Sequence, residues 1–355
     1  MVLKRDSPNL DILRSLAVTG VLLNHLAQVT PGGQDGGAFA LNGIGRVGVL
    51  IFFVHTALVL MGSLARLEAK GGGLGLLRAF YVQRFFRLYP LSITCVTVVL
   101  LAHFAVPHWR LQWLTVKAVV SNLALVQNLT WEPSVIGPLW SLPYEVQMYL
   151  VLPFIYLLTK RRRALLFISI LWVVAAALGT LQFSSDPRYL VAPFQFPLLW
   201  FVPTFLGGVF AFILTGKPHA NLPSWIWPVL LLGIFIVFQI FPIPRTELVM
   251  TLLGFAIPQF AETENKAIGK IAHHVAKYSY GIYLVHVPLL EICFTHLHSP
   301  GVAARCVLFF LLLAMCSVGA YHLVEKPMID MGHRLSGRIA SKRDSAPALV
   351  QKAGA

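Results

Sequence analysis

The chain is 355 residues long, 57% of them apolar and only 12% charged, with a mean hydropathy of +0.73. Soluble chains draw about a quarter of their residues from the charged types, so this composition excludes a water-facing enzyme of ordinary build. The net charge of +14 does not point to nucleic acid either, because the basic residues sit in short clusters between apolar runs, the pattern that fixes membrane orientation.

Apolar stretches able to cross about 30 Å of hydrocarbon fall at 10–30, 44–64, 90–107, 143–159, 164–183, 194–214, 225–242, 246–261, 276–297 and 302–324. The predicted fold is therefore all-α, a polytopic transmembrane helical bundle of about ten spans. Lys4 and Arg5 give the first run the look of a signal peptide. Asp11 and Arg14 interrupt its start and its cleavage pattern is poor, so it is read as a helix that stays. An even number of spans puts both termini on one side. Assigning that side to the cytoplasm places most basic residues there, including Arg84, Arg87 and the run from Lys160 to Arg163, and leaves only Arg46, Arg110, Lys117, Arg188, Arg245 and Arg305 outside.

Between the third and fourth spans, the apolar period over 111–126 predicts an interfacial helix anchored by Trp109 and Trp113. The prolines Pro242 and Pro244 mark a broken or re-entrant segment. Residues 1–330 are read as one membrane domain and 331–355 as a basic, mobile cytoplasmic tail. Cys95, Cys293, Cys306 and Cys316 lie in or beside spans without metal-ligand spacing, which makes them packing residues, and no metal is expected.

Four stretches carry the chemistry. Arg14 and His25 lie in the first span, where a central charge costs about 2.5–3.5 kcal/mol on insertion scales and is a functional candidate by default. Eleven residues at about 100° each amount to three turns and roughly 20°, so the two share a face, about 16 Å apart along the axis. Asp11 is placed to pair with Arg14. The structural alternative is that each polar group snorkels to its nearer headgroup layer. In Arg84-Phe85-Phe86-Arg87-Leu88-Tyr89-Pro90, two guanidinium groups at i and i+3 stand at the cytoplasmic mouth of the third span. Paired forks suit phosphate, although topology alone also accounts for arginine there.

In Trp140-Ser141-Leu142-Pro143-Tyr144-Glu145-Val146-Gln147-Met148-Tyr149, Ser141 is placed to cap the fourth span and Pro143 fits its first turn. Glu145 and Tyr149 share a face at i and i+4, so the carboxyl group bonds the phenol, orients a histidine, or merely serves the helix N-terminus. In Tyr283-Leu284-Val285-His286, the tyrosine and histidine are i and i+3. His286 reads either as a satisfied interior group or as a site residue. His55, His273 and His274 carry less information.

Together and in this order, these segments resemble acyltransferase family 3, membrane proteins that include bacterial O-antigen and Nod-factor O-acetylases. The resemblance runs from Leu10-Asp11-Ile12-Leu13-Arg14 to Val324-Glu325-Lys326-Pro327. It rests on the Arg-x10-His relation of Arg14 and His25, on Arg84-x-x-Arg87, on Trp-Ser-Leu-x-x-Glu from Trp140 to Glu145, and on Tyr-Leu-x-His from Tyr283 to His286. The family's Phe-Phe-Val-x-Ser-Gly-Phe run reads Phe52-Phe53-Val54-His55-Thr56-Ala57-Leu58 here, which keeps a hydroxyl but adds a histidine and loses a glycine. The extracytoplasmic hydrolase-like domain fused to some relatives is not expected.

What the resemblance implies is an O-acetyltransferase, or a relative using a longer acyl group, in a bacterial inner membrane. Its donor would be acetyl-CoA or another acyl-CoA and its acceptor a carbohydrate or glycolipid. Arg14, Arg84 and Arg87 would bind CoA; His25 and Glu145 would be catalytic; Ser141, Tyr149, Tyr283 and His286 would hold substrate. Donor and acceptor would meet from opposite sides of the membrane, with His25, Glu145 and His286 converging near the outer side. The rival classes are a secondary transporter of a small polar solute, which also keeps ionisable residues near the midplane but for which no inverted repeat is visible, and a scaffold for glycan assembly.

Overall fold

Ser7 accepts a hydrogen bond from the Leu10 N–H and Pro8 fills the first turn, so the first helix starts on a side-chain cap and a proline that needs no donor. The computed structural model describes residues 7–30, 42–71, 73–105, 113–192, 194–217, 220–240, 246–297, 299 and 301–344. In chain order the helices are α1 (Pro8–Val29), α2 (Asn42–Glu68), α3 (Leu74–Ala105), α4 (Val116–Ala124), α5 (Gln127–Thr130), α6 (Leu142–Thr159), α7 (Ala164–Ser185), α8 (Arg188–Val191), α9 (Leu198–Thr215), α10 (Ile226–Ile240), α11 (Thr246–Ala256), α12 (Lys266–Leu290), α13 (Val302–Gly319) and α14 (Lys326–Asp344). A 3-10 turn, Gly137–Ser141, leads into α6, and π-helical turns follow α12 at Glu291–His296 and α13 at Ala320–Glu325.

Among the described residues, seven helical stretches are long and apolar enough to cross a membrane: α1, α2, α3, α6 with its 3-10 lead, α7, α9, and the continuous Val302–Gly337. The other three predicted spans fall on the 15-residue α10, the 11-residue α11 and the 25-residue α12. α12 opens with Lys266, Lys270, His273, His274 and Lys277, which lowers its apolarity. α2 is buried over most of its length and α7 over little of it. Ile170, Val173 and Leu181 of α7, like Leu101 and Phe104 of α3, stand more than half exposed. An outer belt of this kind suits a hydrocarbon solvent and not water.

Close backbone approach fixes the centre. A Cβ on Gly48 would lie 2.5 Å from the Ala17 carbonyl oxygen, and one on Gly208 would lie 2.1 Å from that of Val54. Only glycine lets α2 lie this near α1 on one side and α9 on the other. α1 and α12 run parallel. Ser7 donates to Glu262 at 2.7 Å and Asn9 to the Ala261 carbonyl at 2.9 Å, while Ser15 donates to the Ala272 carbonyl at 2.7 Å.

Four local expectations are corrected. Asp11 pairs with His273 at 2.9 Å instead of Arg14, because Asp11 faces α12 while Arg14 turns into the interior. α3 starts at Leu74, well before Pro90, so Arg84 and Arg87 lie inside a continuous helix and not at its first turn. Pro90 removes one backbone bond, a loss that packed membrane helices tolerate. The chain past Met331 is not a loose tail up to Asp344: Gln83 donates to Ser336 at 2.8 Å, and Phe86 lies against Gly332, which ties α14 to α3. The interfacial stretch forms α4 with Val116 and Val120 exposed, but only from Val116, where Thr115 caps it. Trp109, Pro242, Pro244 and residues 345–355 lie outside the described residues.

Candidate active site

Helical spacing brings one stripe of each of five helices to a shared cavity of about 140 Å³. From α3, Arg84 and Arg87 point in at i and i+3; from α6, Glu145 and Tyr149 at i and i+4; from α2, Phe52, His55 and Thr56 at i, i+3 and i+4. Arg14 enters from α1, and Tyr280 and Tyr283 from α12.

The three guanidinium groups are not equivalent. Arg87 forms an ion pair with Glu325, which the π turn at the end of α13 carries inward with its side chain wholly buried. Arg87 also lies over the Tyr280 ring, 5.8 Å from its centroid. Arg84 rests over the Phe80 ring at 5.9 Å. The buried Nε atoms of Arg14 and Arg84 find no acceptor among the described residues. Glu145 accepts from the Tyr149 hydroxyl, as the spacing predicts, and from Thr56 at 3.4 Å. Three cations thus face two acidic groups, with donors left over on two of the arginines.

His25 and His286 do not line this cavity. They meet in a second place, where the parallel register of α1 and α12 carries both chains the same distance. From Asp11 to His25 and from His273 to His286 each helix rises about 20 Å. His25 Nδ1 lies 2.9 Å from the Val21 carbonyl oxygen and 3.2 Å from His286 Nε2, and His286 Nδ1 lies 3.0 Å from the Ile282 carbonyl oxygen.

Tyr283 stands between the two places. Its ring centroid is 6.2 Å from that of His286 and 6.0 Å from that of Phe52, edge-on. Its hydroxyl donates to the Pro138 carbonyl at 2.9 Å and accepts from Ser141 at 2.7 Å. Ser141 therefore spends its hydroxyl on Tyr283 and makes no side-chain cap on α6, contrary to expectation. Glu145 also departs from expectation: it gathers with the arginines and not with His25 and His286.

Sequence reasoning did not choose His55, Thr56, Tyr280 or Glu325 as site residues, although it noted the histidine and the hydroxyl of the Phe52–Leu58 run. Glu325 was findable, being an acid at the very end of the 302–324 apolar stretch, where ionisable groups beside a span are functional candidates. His55 carried the same signal.

The chain matches the acyltransferase domain family over residues 7–323. It belongs to that family. A curated relative, the acyltransferase MdmB of Streptomyces mycarofaciens, is 27% identical over 383 residues, covering 93% of this chain and 92% of its own. No solved structure matches. The protein is thus a membrane acyltransferase, and family membership sets the transporter and scaffold readings aside. Among the described residues of the acyltransferase, no group of three or more His, Cys, Asp or Glu side chains is placed to hold a metal ion.

Proposed function

We propose that this acyltransferase moves an acyl group, most simply acetyl, from acyl-CoA to a hydroxyl group of a cell-envelope or exported carbohydrate in a bacterial inner membrane. The observation that carries the reading is the pairing, along α1, of an arginine-rich cavity at Arg14 with an imidazole at His25, separated by Tyr283. CoA carries several phosphate charges on a slim pantetheine arm. Guanidinium groups with unused donors suit the phosphates, and a cavity of about 140 Å³, close to the size that holds one benzene ring, takes a short terminal stretch of the arm.

With the N-terminus of α1 in the cytoplasm, Arg14, Arg84 and Arg87 receive the donor from the side where CoA is made. The thioester passes Tyr283 and Phe52 to reach His25. Neutral His25 takes the proton of the acceptor hydroxyl as its oxygen bonds to the thioester carbon. The C–S bond then breaks, and the thiolate recovers the proton from the imidazolium to leave as free CoA. General-base help of this kind is worth about 10²–10⁴-fold. Glu145, held by Tyr149 and Thr56, balances the arginines.

Sealed proteoliposomes of known orientation test the reading. Acetyl-CoA on the face holding the α1 N-terminus should acetylate an impermeant sugar acceptor supplied only on the opposite face. Product formed only when both substrates share one face would overturn the cross-membrane route, and no transfer from acetyl-CoA to any sugar hydroxyl would overturn the substrate assignment.

A further inference from the structure

The protons of the two imidazole rings can be assigned from their neighbours, because a carbonyl oxygen only accepts. His286 Nδ1 lies 3.0 Å from the Ile282 carbonyl oxygen, so that nitrogen carries a hydrogen. His286 is about 1% exposed and has no carboxylate partner among the described residues, so it is neutral and presents Nε2 as a lone pair. The lone pair faces His25 Nδ1 at 3.2 Å, and the Val21 carbonyl faces the same nitrogen at 2.9 Å. His25 Nδ1 is flanked by two acceptors and so must hold the hydrogen. Its Nε2 is left unprotonated, with no hydrogen bond among the described residues.

We propose that His286 is a positioning residue that fixes the tautomer of His25, leaving His25 Nε2 free to take a proton, in place of the substrate-holding role implied by the family resemblance. This rests on His25 acting as the base. An unconstrained neutral histidine favours the opposite tautomer, and the partner of one ring nitrogen decides which nitrogen is basic. Val21 alone supplies one acceptor from within α1. His286 adds a second from α12 and stops the ring from turning over. When the hydroxyl proton arrives at Nε2, the Nδ1–H keeps both acceptors, so the imidazolium forms without moving a second proton.

Nitrogen-15 NMR of histidine-labelled protein reads the tautomer directly, with His25 assigned by its loss in His25→Ala. The wild type should show the Nδ1–H form, His286→Phe should shift His25 towards the Nε2–H form, and His286→Gln, whose side-chain oxygen accepts, should restore the wild-type pattern. Turnover should follow: kcat falls by about 10–100-fold in His286→Phe, as when an orienting partner is lost, with KM for acetyl-CoA unchanged and partial rescue by Gln. A wild-type Nε2–H tautomer at His25, or a ratio unmoved by His286→Phe, would overturn the proposal. Because the tautomer is read without turnover, it is decided separately from the catalytic role of His25, which the activity of His25→Ala decides.

Discussion

Replacing Glu325 by Leu strands the Arg87 guanidinium in a cavity that holds two more cations. The Glu325 side chain is fully buried and that of Arg87 is 23% exposed, so water offers little relief. Removing one member of such a pair costs about 3–5 kcal/mol. Arg87→Leu should cost less, about 1–3 kcal/mol, because an orphaned carboxyl group takes up a proton and becomes neutral. The double Leu variant should lie near the wild type or above it, since replacing a desolvated pair with apolar side chains is often neutral or stabilising by about 1–4 kcal/mol. The cycle therefore has a coupling of at least about 4 kcal/mol. Reversible unfolding in mixed detergent micelles, followed by tryptophan fluorescence, measures all four corners. A coupling under about 0.5 kcal/mol would refute the inference that Arg87 and Glu325 are one buried unit. The double variant should also be folded yet weak in acetyl-CoA binding, which separates the stabilising role of the pair from the donor-binding role of Arg87.

His25→Ala should lose about 10²–10⁴-fold in kcat while keeping its elution profile and unfolding midpoint; wild-type turnover would remove His25 from the chemistry. Arg84→Gln, which deletes unused donors without breaking an ion pair, should raise the Kd for acetyl-CoA by about tenfold, equal to about 1.4 kcal/mol, and reduce its salt dependence; calorimetry at two ionic strengths checks both. Gly208→Ala should destabilise by about 1–3 kcal/mol or more, because the new methyl meets the Val54 carbonyl with no flexible side chain to give way; an unchanged unfolding curve would mean that the α2–α9 contact is looser than described.

What the sequence made legible was whatever rests on spacing within one helix. The ten apolar stretches each overlap a helix, and the Glu145–Tyr149 bond follows from i and i+4 alone. What it hid was set between helices. Arg14 and His25 share a face of α1, yet Arg14 joins α3 and α6 while His25 joins α12, a division that depends on how those helices cross. The partner of Ser141 is a tyrosine 142 positions later, reached only once α12 packs on the 3-10 turn. Glu325 reaches Arg87 because a π turn changes the helical register, and no periodicity in the sequence announces such a turn.

The length of α3 has a consequence for the membrane itself. Its 32 residues rise about 48 Å, against about 30 Å of hydrocarbon, so an upright α3 projects roughly 18 Å into the headgroups and water. The basic residues of α3, Arg78, Arg84 and Arg87, lie toward its Leu74 end, and α14 lies antiparallel along that end, joined through Gln83 and Ser336 and through Phe86 and Gly332. The two helices are clasped there as one strut, with the Arg87–Glu325 pair at the end that faces the cavity. From Leu74 to Arg87 α3 rises about 20 Å, so the clasped pair is a lever whose inner end carries arginines that face the cavity.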